Sequence, residues 1–381
     1  MESIDEFLEK RRESGNRRTL SAITTRKNGR LRINRKNYID LSSNDYLGLS
    51  GHPQMIAAAQ KAMKQFGTGS CASRLLSGSL KLHHILEEKT AAFKNKESAL
   101  IFNSGYQANL GILPALYSRF DAIFADKLSH ASLIDGIALS QAKLFRFRHN
   151  DLNHLEEILK NERKKFKQAL IVTESIFSMD GDRADLKNIV AMKEKYDCQM
   201  MIDEAHATGI YGKTGAGLAE EAGLSEKIEL IMGTFSKALG SFGAYLAASK
   251  KITQYLINTC RSFIYSTALP PAVIACNIES LNLVKKEPWR RKELLKCADF
   301  FRTTLKERGF NVKGSSQIVP LILGDNFKAI AYARRLQDKG YWVMPIRPPT
   351  VPDTQARLRF SLTTYHKQPM LQRLIDELPK K

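Results

Sequence analysis

Four short stretches of the sequence place reactive or ligand-binding side chains just past an apolar run. In MMIDEAHATG, Asp203 closes an apolar segment and His206 follows three residues later. A carboxylate at such a buried end needs a cationic partner, or its pKa rises. A protonated ring nitrogen would be such a partner, and His206 would then reach a phenolic oxygen of the same ring. A metal ion is the competing reading of Asp-x-x-His, but no third ligand lies nearby in sequence. In MGTFSKALGSFGA, Lys237 sits among Thr, Ser and Gly. A lysine drawn from water there loses pKa and can form a Schiff base with an aldehyde. Thr234, three residues earlier, can donate to a phosphate. In IFNSGYQAN, Ser104 introduces Gly105 and Tyr106, whose N–H groups at a helix start suit an anion. In FADKLSHAS, His130 offers a flat ring that can stack on a heteroaromatic group.

Each stretch alone is ambiguous. Histidines are commonly structural, surface lysines are commonly solvated, and strand–helix turns are ordinary. Together they supply a phosphate cradle, a stacking ring, an anchor for a ring nitrogen and an aldehyde-binding lysine. That set suits pyridoxal 5′-phosphate (PLP).

These groups need a scaffold. Short apolar segments recur at 99–102, 122–125, 144–147, 169–173, 199–203, 229–233 and 244–248. Helical patterns such as 152–167 and 185–196 alternate with them. Such alternation predicts an α/β fold: a large, mostly parallel seven-stranded sheet with helices on both faces. Ligands of such sheets bind at the carboxyl ends of the strands, where all four stretches fall. Upstream, residues 1–20 read as an amphipathic helix running into a basic segment, and a hairpin turning at Asn28-Gly29 is expected. Downstream, a charged helix at 287–308, a strand at 318–323, a helix at 327–339 stopped by Gly340, the strand RLRFSL and a last helix predict a small α+β domain. The expected division is 1–45 for the N-terminal helix and hairpin, 46–285 for the large domain and 286–381 for the small one.

Composition narrows the class. With 381 residues, 43% of them hydrophobic, the chain can bury a substantial core. No apolar run is long enough for a membrane span, and the charged N-terminus lacks a signal-peptide pattern. A cytoplasmic protein is expected, with no membrane partner. The five cysteines are scattered, without a C-x-x-C pair, which predicts neither a disulfide framework nor a bound metal. The formal charge of +20 permits nucleic-acid binding. The basic clusters are dispersed, however, and no nucleic-acid-binding motif accompanies them, so solvated faces are the expectation.

The series SSNDYLGL (42–49), GTGSCASRLLSG (67–78), NSGYQAN (103–109), DKLSHASL (126–133), TESIFSMDGD (173–182), DEAHATGIYG (203–212), GTFSKALG (233–240), IYSTALPP (264–271) and RLRFSLTTYH (357–366) resembles the α-oxoamine synthases, a family of fold-type I PLP enzymes, over nearly the whole chain. Cys71-Ala72 departs from the glycines common there. The resemblance implies that Lys237 carries PLP, Asp203 pairs with its ring nitrogen, His206 with its phenolic oxygen, and His130 stacks on the ring. It further implies phosphate contacts from Gly105, Tyr106 and Thr234, with Ser178 against the cofactor. Ser266 and Thr267 would reach the phosphate of a second subunit in a homodimer with shared active sites. Arg359 would bind the amino-acid carboxylate, and Arg17 and Thr350 would touch substrate. Within the family, IRPPTVP (346–352) and ILGDN (322–326) look most like members that condense L-alanine with a pimeloyl thioester of CoA or acyl-carrier protein. Arg347 is a candidate for the far end of the acyl group, against the alternative of a salt bridge bracing the C-terminal region. His130 would assist as an acid near the acyl carbonyl.

Overall fold

A computed structural model describes residues 2–379. The chain forms two compact units: Met1–Gly48 with Ser178–Asp182 and Lys292–Lys381, and Leu49–Phe177 with Arg183–Arg291.

The first unit opens with a helix, Ile4–Glu13. Ser3 and Glu6 form a reciprocal capping box at its start. Three antiparallel strands follow: β1 (Thr25–Lys27), β2 (Arg30–Ile33) and β3 (Lys36–Asp40). The β1–β2 turn is the expected Asn28-Gly29, with both residues at positive φ.

The second unit holds the seven strands that the alternation predicts. They are β4 (Ser98–Phe102), β5 (Ala122–Asp126), β6 (Lys143–Phe147), β7 (Ala169–Glu174), β8 (Gln199–Asp203), β9 (Leu230–Thr234) and β10 (Ala244–Ala248). Their order is β4-β10-β9-β8-β7-β5-β6. Only β10 runs antiparallel to its neighbours, so the sheet is mostly parallel. Strands β5, β7, β9 and β10 are buried at every residue. That explains their unbroken apolar runs, because helices cover both faces of the sheet. The edge strand β6 instead exposes Lys143 and Arg146, charges that discourage pairing with another chain. The helix expected over 152–167 stops at Glu162 and tightens into a 3₁₀ turn at Arg163–Lys165.

The rest of the first unit contains β11 (Ile318–Gly324), β12 (Tyr341–Trp342), β13 (Pro345–Ile346) and β14 (Ala356–Ser361). β12 adds to β3 in parallel, and β14 lies between β11 and β13. The helix Asn326–Asp338 ends as expected beside Gly340, which adopts φ 86°. Among the described residues, no helix is long and apolar enough to cross a membrane.

His366, after β14, is 1% exposed, and its Nδ1 accepts the Thr363 N–H at 3.1 Å. Burial pushes its pKa down to about 4, against a smaller opposing effect of the Asp40 backbone. A depressed histidine pKa means that the unfolded chain binds the proton more readily. This contribution to stability is therefore complete above pH 6.5 and is lost as the pH falls towards 4. The expected loss is on the order of 3 kcal/mol. His366→Asn keeps an acceptor for Thr363 but cannot titrate. Thermal melts from pH 7 to pH 4 should show a shallower decline for this variant than for the wild type; parallel declines would disprove the contribution.

Candidate active site

The carboxyl ends of β4, β8 and β9 and the loop after β5 surround an open cleft of about 530 Å³ in the second unit. Its lining includes Gly105, Tyr106, His130, Asp203, His206, Thr234 and Lys237, so residues far apart in sequence share one wall. Each follows from its strand. β8 delivers Asp203 at its last residue, and a turn brings His206 back to the same opening. β9 ends at Thr234, and the loop to β10 is drawn tight by Phe235 N–H to Gly243, Ser241 N–H to Phe235 and Gly240 N–H to Lys237. Gly240 adopts φ 64°, and a Cβ there would fall 2.5 Å from the Ser50 nitrogen, so this turn needs glycine.

Asp203 is 6% exposed. Its Oδ1 accepts the Ala205 N–H at 2.9 Å, and its Oδ2 lies 3.5 Å from the Asn109 amide nitrogen. His130, His206 and Lys237 line the same cleft, so the carboxylate faces groups that carry or can carry positive charge. A buried carboxylate so placed suits a cationic ring nitrogen of a ligand.

Another part of the cleft lining suits an anion. The helix Gly105–Leu116 starts there, capped by Ser104, whose Oγ accepts the Gln107 N–H at 3.1 Å. The Gly105 and Tyr106 N–H groups have no acceptor among the described residues. The hydroxyl of Thr234 is buried without a hydrogen-bond partner. Gly105 packs so close that a Cβ would come within 2.9 Å of the Thr234 methyl group. Two free N–H groups, a helix start and an orphaned hydroxyl make a phosphate cradle.

His130 caps the helix Ala131–Ser140. Its Nδ1 accepts the Ser132 N–H at 3.2 Å and faces the Ser132 hydroxyl at 2.7 Å. In the neutral ring the proton therefore sits on Nε2. Burial lowers its pKa, with Asp203 opposing and Lys237 adding to the shift, which keeps the ring neutral at pH 7. Tyr106 stands edge-on to it, at 6.5 Å between ring centres, and its hydroxyl donates to Asp135. Anion cradle, flat neutral ring, carboxylate and lysine together fit PLP.

Sequence reasoning missed Asn109, Ser132 and Glu174, which also line the cleft. The first two were within reach. Asn109 lies four residues after Gly105, on the same helical face, and Ser132 is in the first turn after His130. Ser266 and Thr267 do not line this cleft. They border a narrower pocket with Arg74, His83 and Gln107, where the Gln107 amide donates to the Ser266 hydroxyl at 2.5 Å.

The remaining predicted residues belong to the first unit. Arg359 is 8% exposed and makes no ion pair among the described residues. It donates to the Ser178 carbonyl at 2.6 Å, Asn44 Oδ1 at 3.3 Å, the Ser361 hydroxyl and the Tyr46 hydroxyl at 3.4 Å. Its neighbour Arg357, by contrast, is paired with Asp180. Arg347 donates to the carbonyls of Gly15 and Arg17 and pairs with no carboxylate, so the bracing salt bridge is absent among the described residues. Burial, and then the Arg18 charge, lower its pKa. The exposed Arg18 donates to the Thr350 hydroxyl at 2.8 Å, while Arg17 contributes its carbonyl to this cluster.

Residues 36–378 match the family model described as aminotransferase class I and II. An 8-amino-7-oxononanoate synthase of Geobacter sulfurreducens is 46% identical over 99% of this chain and 97% of its own length. Among solved structures, a serine palmitoyltransferase variant from S. paucimobilis with bound PLP–myriocin is 31% identical, covers 98% of this chain and 95% of its own, and superposes with a TM-score of 0.92. An 8-amino-7-oxononanoate synthase from Francisella tularensis is also 31% identical, covers 89% and 96%, and gives a TM-score of 0.79.

The cradle makes its own prediction. Gly105→Ala forces the Thr234 side chain to turn and moves its hydroxyl. Affinity for PLP should fall about tenfold, equivalent to about 1.4 kcal/mol. Affinity for pyridoxal, which lacks the phosphate, should not change. Equal effects on both ligands, measured by titration of the cofactor-free protein, would count against a phosphate at Gly105.

Proposed function

The chain belongs to the aminotransferase class I and II family, and on that footing we propose that it acts as a PLP-dependent 8-amino-7-oxononanoate synthase. The observation that carries this reading is the buried Asp203 carboxylate on the same cleft wall as Lys237, His130 and the Gly105 helix start.

Bound PLP supplies an electron sink for a carbanion at the α-carbon of an amino acid. Lys237 would hold the cofactor through Nζ and would act as the base that takes and returns the α-proton. Asp203 would keep a proton on the ring nitrogen, and His206 would serve the phenolic oxygen. His130 would stack on the ring, with its Nε2 proton available to the acyl carbonyl oxygen. Gly105, Tyr106 and Thr234 would hold the phosphate. Ser178 would contribute a further contact to the cofactor. Arg359, a guanidinium without a counter-ion, binds the carboxylate of L-alanine. Arg17 and Thr350 would contact substrate, and Arg347 would meet the far end of the acyl group, which carries a carboxylate or its ester.

The net reaction joins the α-carbon of L-alanine to the acyl carbon of a pimeloyl thioester. The C–S bond breaks, the thiol leaves and the alanine carboxylate departs as CO₂. The acyl carrier is CoA or acyl-carrier protein, in the cytoplasm; five free cysteines agree with a reducing compartment. The working form is a homodimer in which Ser266 and Thr267 of one protomer serve the phosphate of the other. The exposure of Tyr265 (72%) in that segment, and of Leu76 (79%) in the loop bridged to it at Ser73, supports a covering partner. The large PLP-binding domain, 46–285, thus carries the chemistry, while 1–45 and 286–381 provide the substrate arginines.

The test is an assay of purified protein with L-alanine and pimeloyl-CoA, following thiol and CO₂ together. Glycine and L-serine, with acetyl, succinyl and palmitoyl thioesters, should be poor alternatives. Release of a keto acid without CO₂ would instead identify an aminotransferase. Lys237→Ala should lose the visible absorbance of the bound cofactor and at least about a thousandfold in turnover; full activity in that variant would refute the assignment. Arg359→Gln should raise KM for L-alanine by about tenfold to a hundredfold, with KM for the thioester nearly unchanged. A change confined to the thioester would place Arg359 elsewhere in the reaction.

A further inference from the structure

Directly behind Asp203 the second unit buries an ion pair that the chemistry above does not use. Successive residues of an extended chain point to opposite sides. Asp203 therefore reaches the cleft while Glu204 points into the protein, where it is fully buried. There Glu204 Oε2 accepts from Lys94 Nζ at 2.7 Å, with the lysine side chain only 1% exposed.

Every polar group of the pair is engaged. Lys94 also donates to the Thr208 hydroxyl at 3.1 Å and to the Ala216 carbonyl. Glu204 Oε1 accepts the Ala219 N–H at 2.9 Å. The Glu204 carbonyl accepts both the N–H and the hydroxyl of Thr208, each at 2.9 Å, closing the turn that carries His206. Thr208 meets the Tyr245 hydroxyl at 2.8 Å. Tyr245 is paired in register with Gly233, the residue before Thr234, and a Cβ at Gly233 would lie 2.2 Å from that hydroxyl. At Gly217 a Cβ would lie 2.3 Å from the Glu204 carboxylate, so the following loop is wrapped tightly onto the pair. One cation thus ties the end of the helix Lys81–Lys94 to the 203–208 turn, to β10 and to the end of β9.

Such a pair is a poor source of stability. Removing both charges from water costs several kcal/mol per ion, and apolar residues of similar volume commonly serve as well or better. Its value lies in fixing one arrangement of the groups around it. We propose that the Lys94–Glu204 pair is a positioning device for the cleft, setting Asp203 and His206 at a fixed distance from Thr234 and Lys237.

The inference rests on the PLP assignment above, and its test separates the two. Lys94→Met/Glu204→Gln removes both charges together and leaves no lone buried ion. Cofactor-free protein is titrated with PLP, and the visible absorbance of the holoenzyme is followed against pH. The double variant should keep its melting temperature within about 4 °C of wild type. Its dissociation constant for PLP should rise about tenfold, and the pH midpoint of the absorbance change should move by about half a unit or more. A purely structural pair would lower the melting temperature and leave the midpoint in place, and that result overturns the proposal. Should the double variant fail to fold, Thr208→Val breaks the link to Tyr245 while retaining the ion pair. It should shift the midpoint in the same way, and an unmoved midpoint there overturns the proposal equally. Wild-type protein that takes up no PLP would refute the cofactor assignment; wild-type uptake with unaltered variants would refute only the role of Lys94 and Glu204.

Discussion

One buried carboxylate organises the cleft. Asp203 stands buried at the end of a strand, accepting from a backbone N–H and facing a more distant amide. The rest of the cleft is arranged around that carboxylate: a helix start at Gly105 and Tyr106, a neutral ring at His130 and an amine at Lys237.

The sheet explains why these groups can meet. In a parallel sheet the strand ends lie side by side, so Thr234 at the end of β9 and Asp203 at the end of β8 are neighbours despite the residues between them. The lone antiparallel strand, β10, carries Tyr245 behind this floor and ties the two ends together through Thr208. Rigidity at this level is inexpensive, because every strand residue there is already fixed by burial on both faces.

The strands were legible because their runs are short and mostly apolar, with helical patterns between them. Their predicted and observed limits differ by a residue at most at either end, as at β9, expected over 229–233 and found at Leu230–Thr234. Lys237, Asp203, His206 and His130 were legible because each follows such a run, and strand ends are where α/β sheets bind ligands. What the sequence hid has a physical cause. Lys94 reads as one more charge in the last turn of a charged helix; only the tertiary structure shows it buried against Glu204. Arg357 and Arg359 are two residues apart on one strand and look equivalent. One is neutralised by Asp180 and the other is not, a difference set by a segment far away in sequence. The hairpin at Asn28-Gly29 was visible from its turn chemistry alone, but its fourth strand, Tyr341–Trp342, comes from the other end of the chain.

Charge divides between the two units in a way that bears on the ligands each can take. In the second unit a buried carboxylate, Asp203, lines the cleft. In the first, two arginines make no ion pair among the described residues: Arg359, buried among neutral acceptors, and Arg347, held by carbonyls beside Arg17 and Arg18. A guanidinium surrounded only by neutral oxygens is solvated well enough to remain charged, yet lacks the bidentate partner its geometry favours. The second unit therefore offers a buried carboxylate suited to a cationic ring, and the first offers guanidinium groups suited to anions. Two of the basic residues that first suggested nucleic acid, Arg359 and Arg347, are thus held by neutral oxygens within the fold and not spread over a basic face.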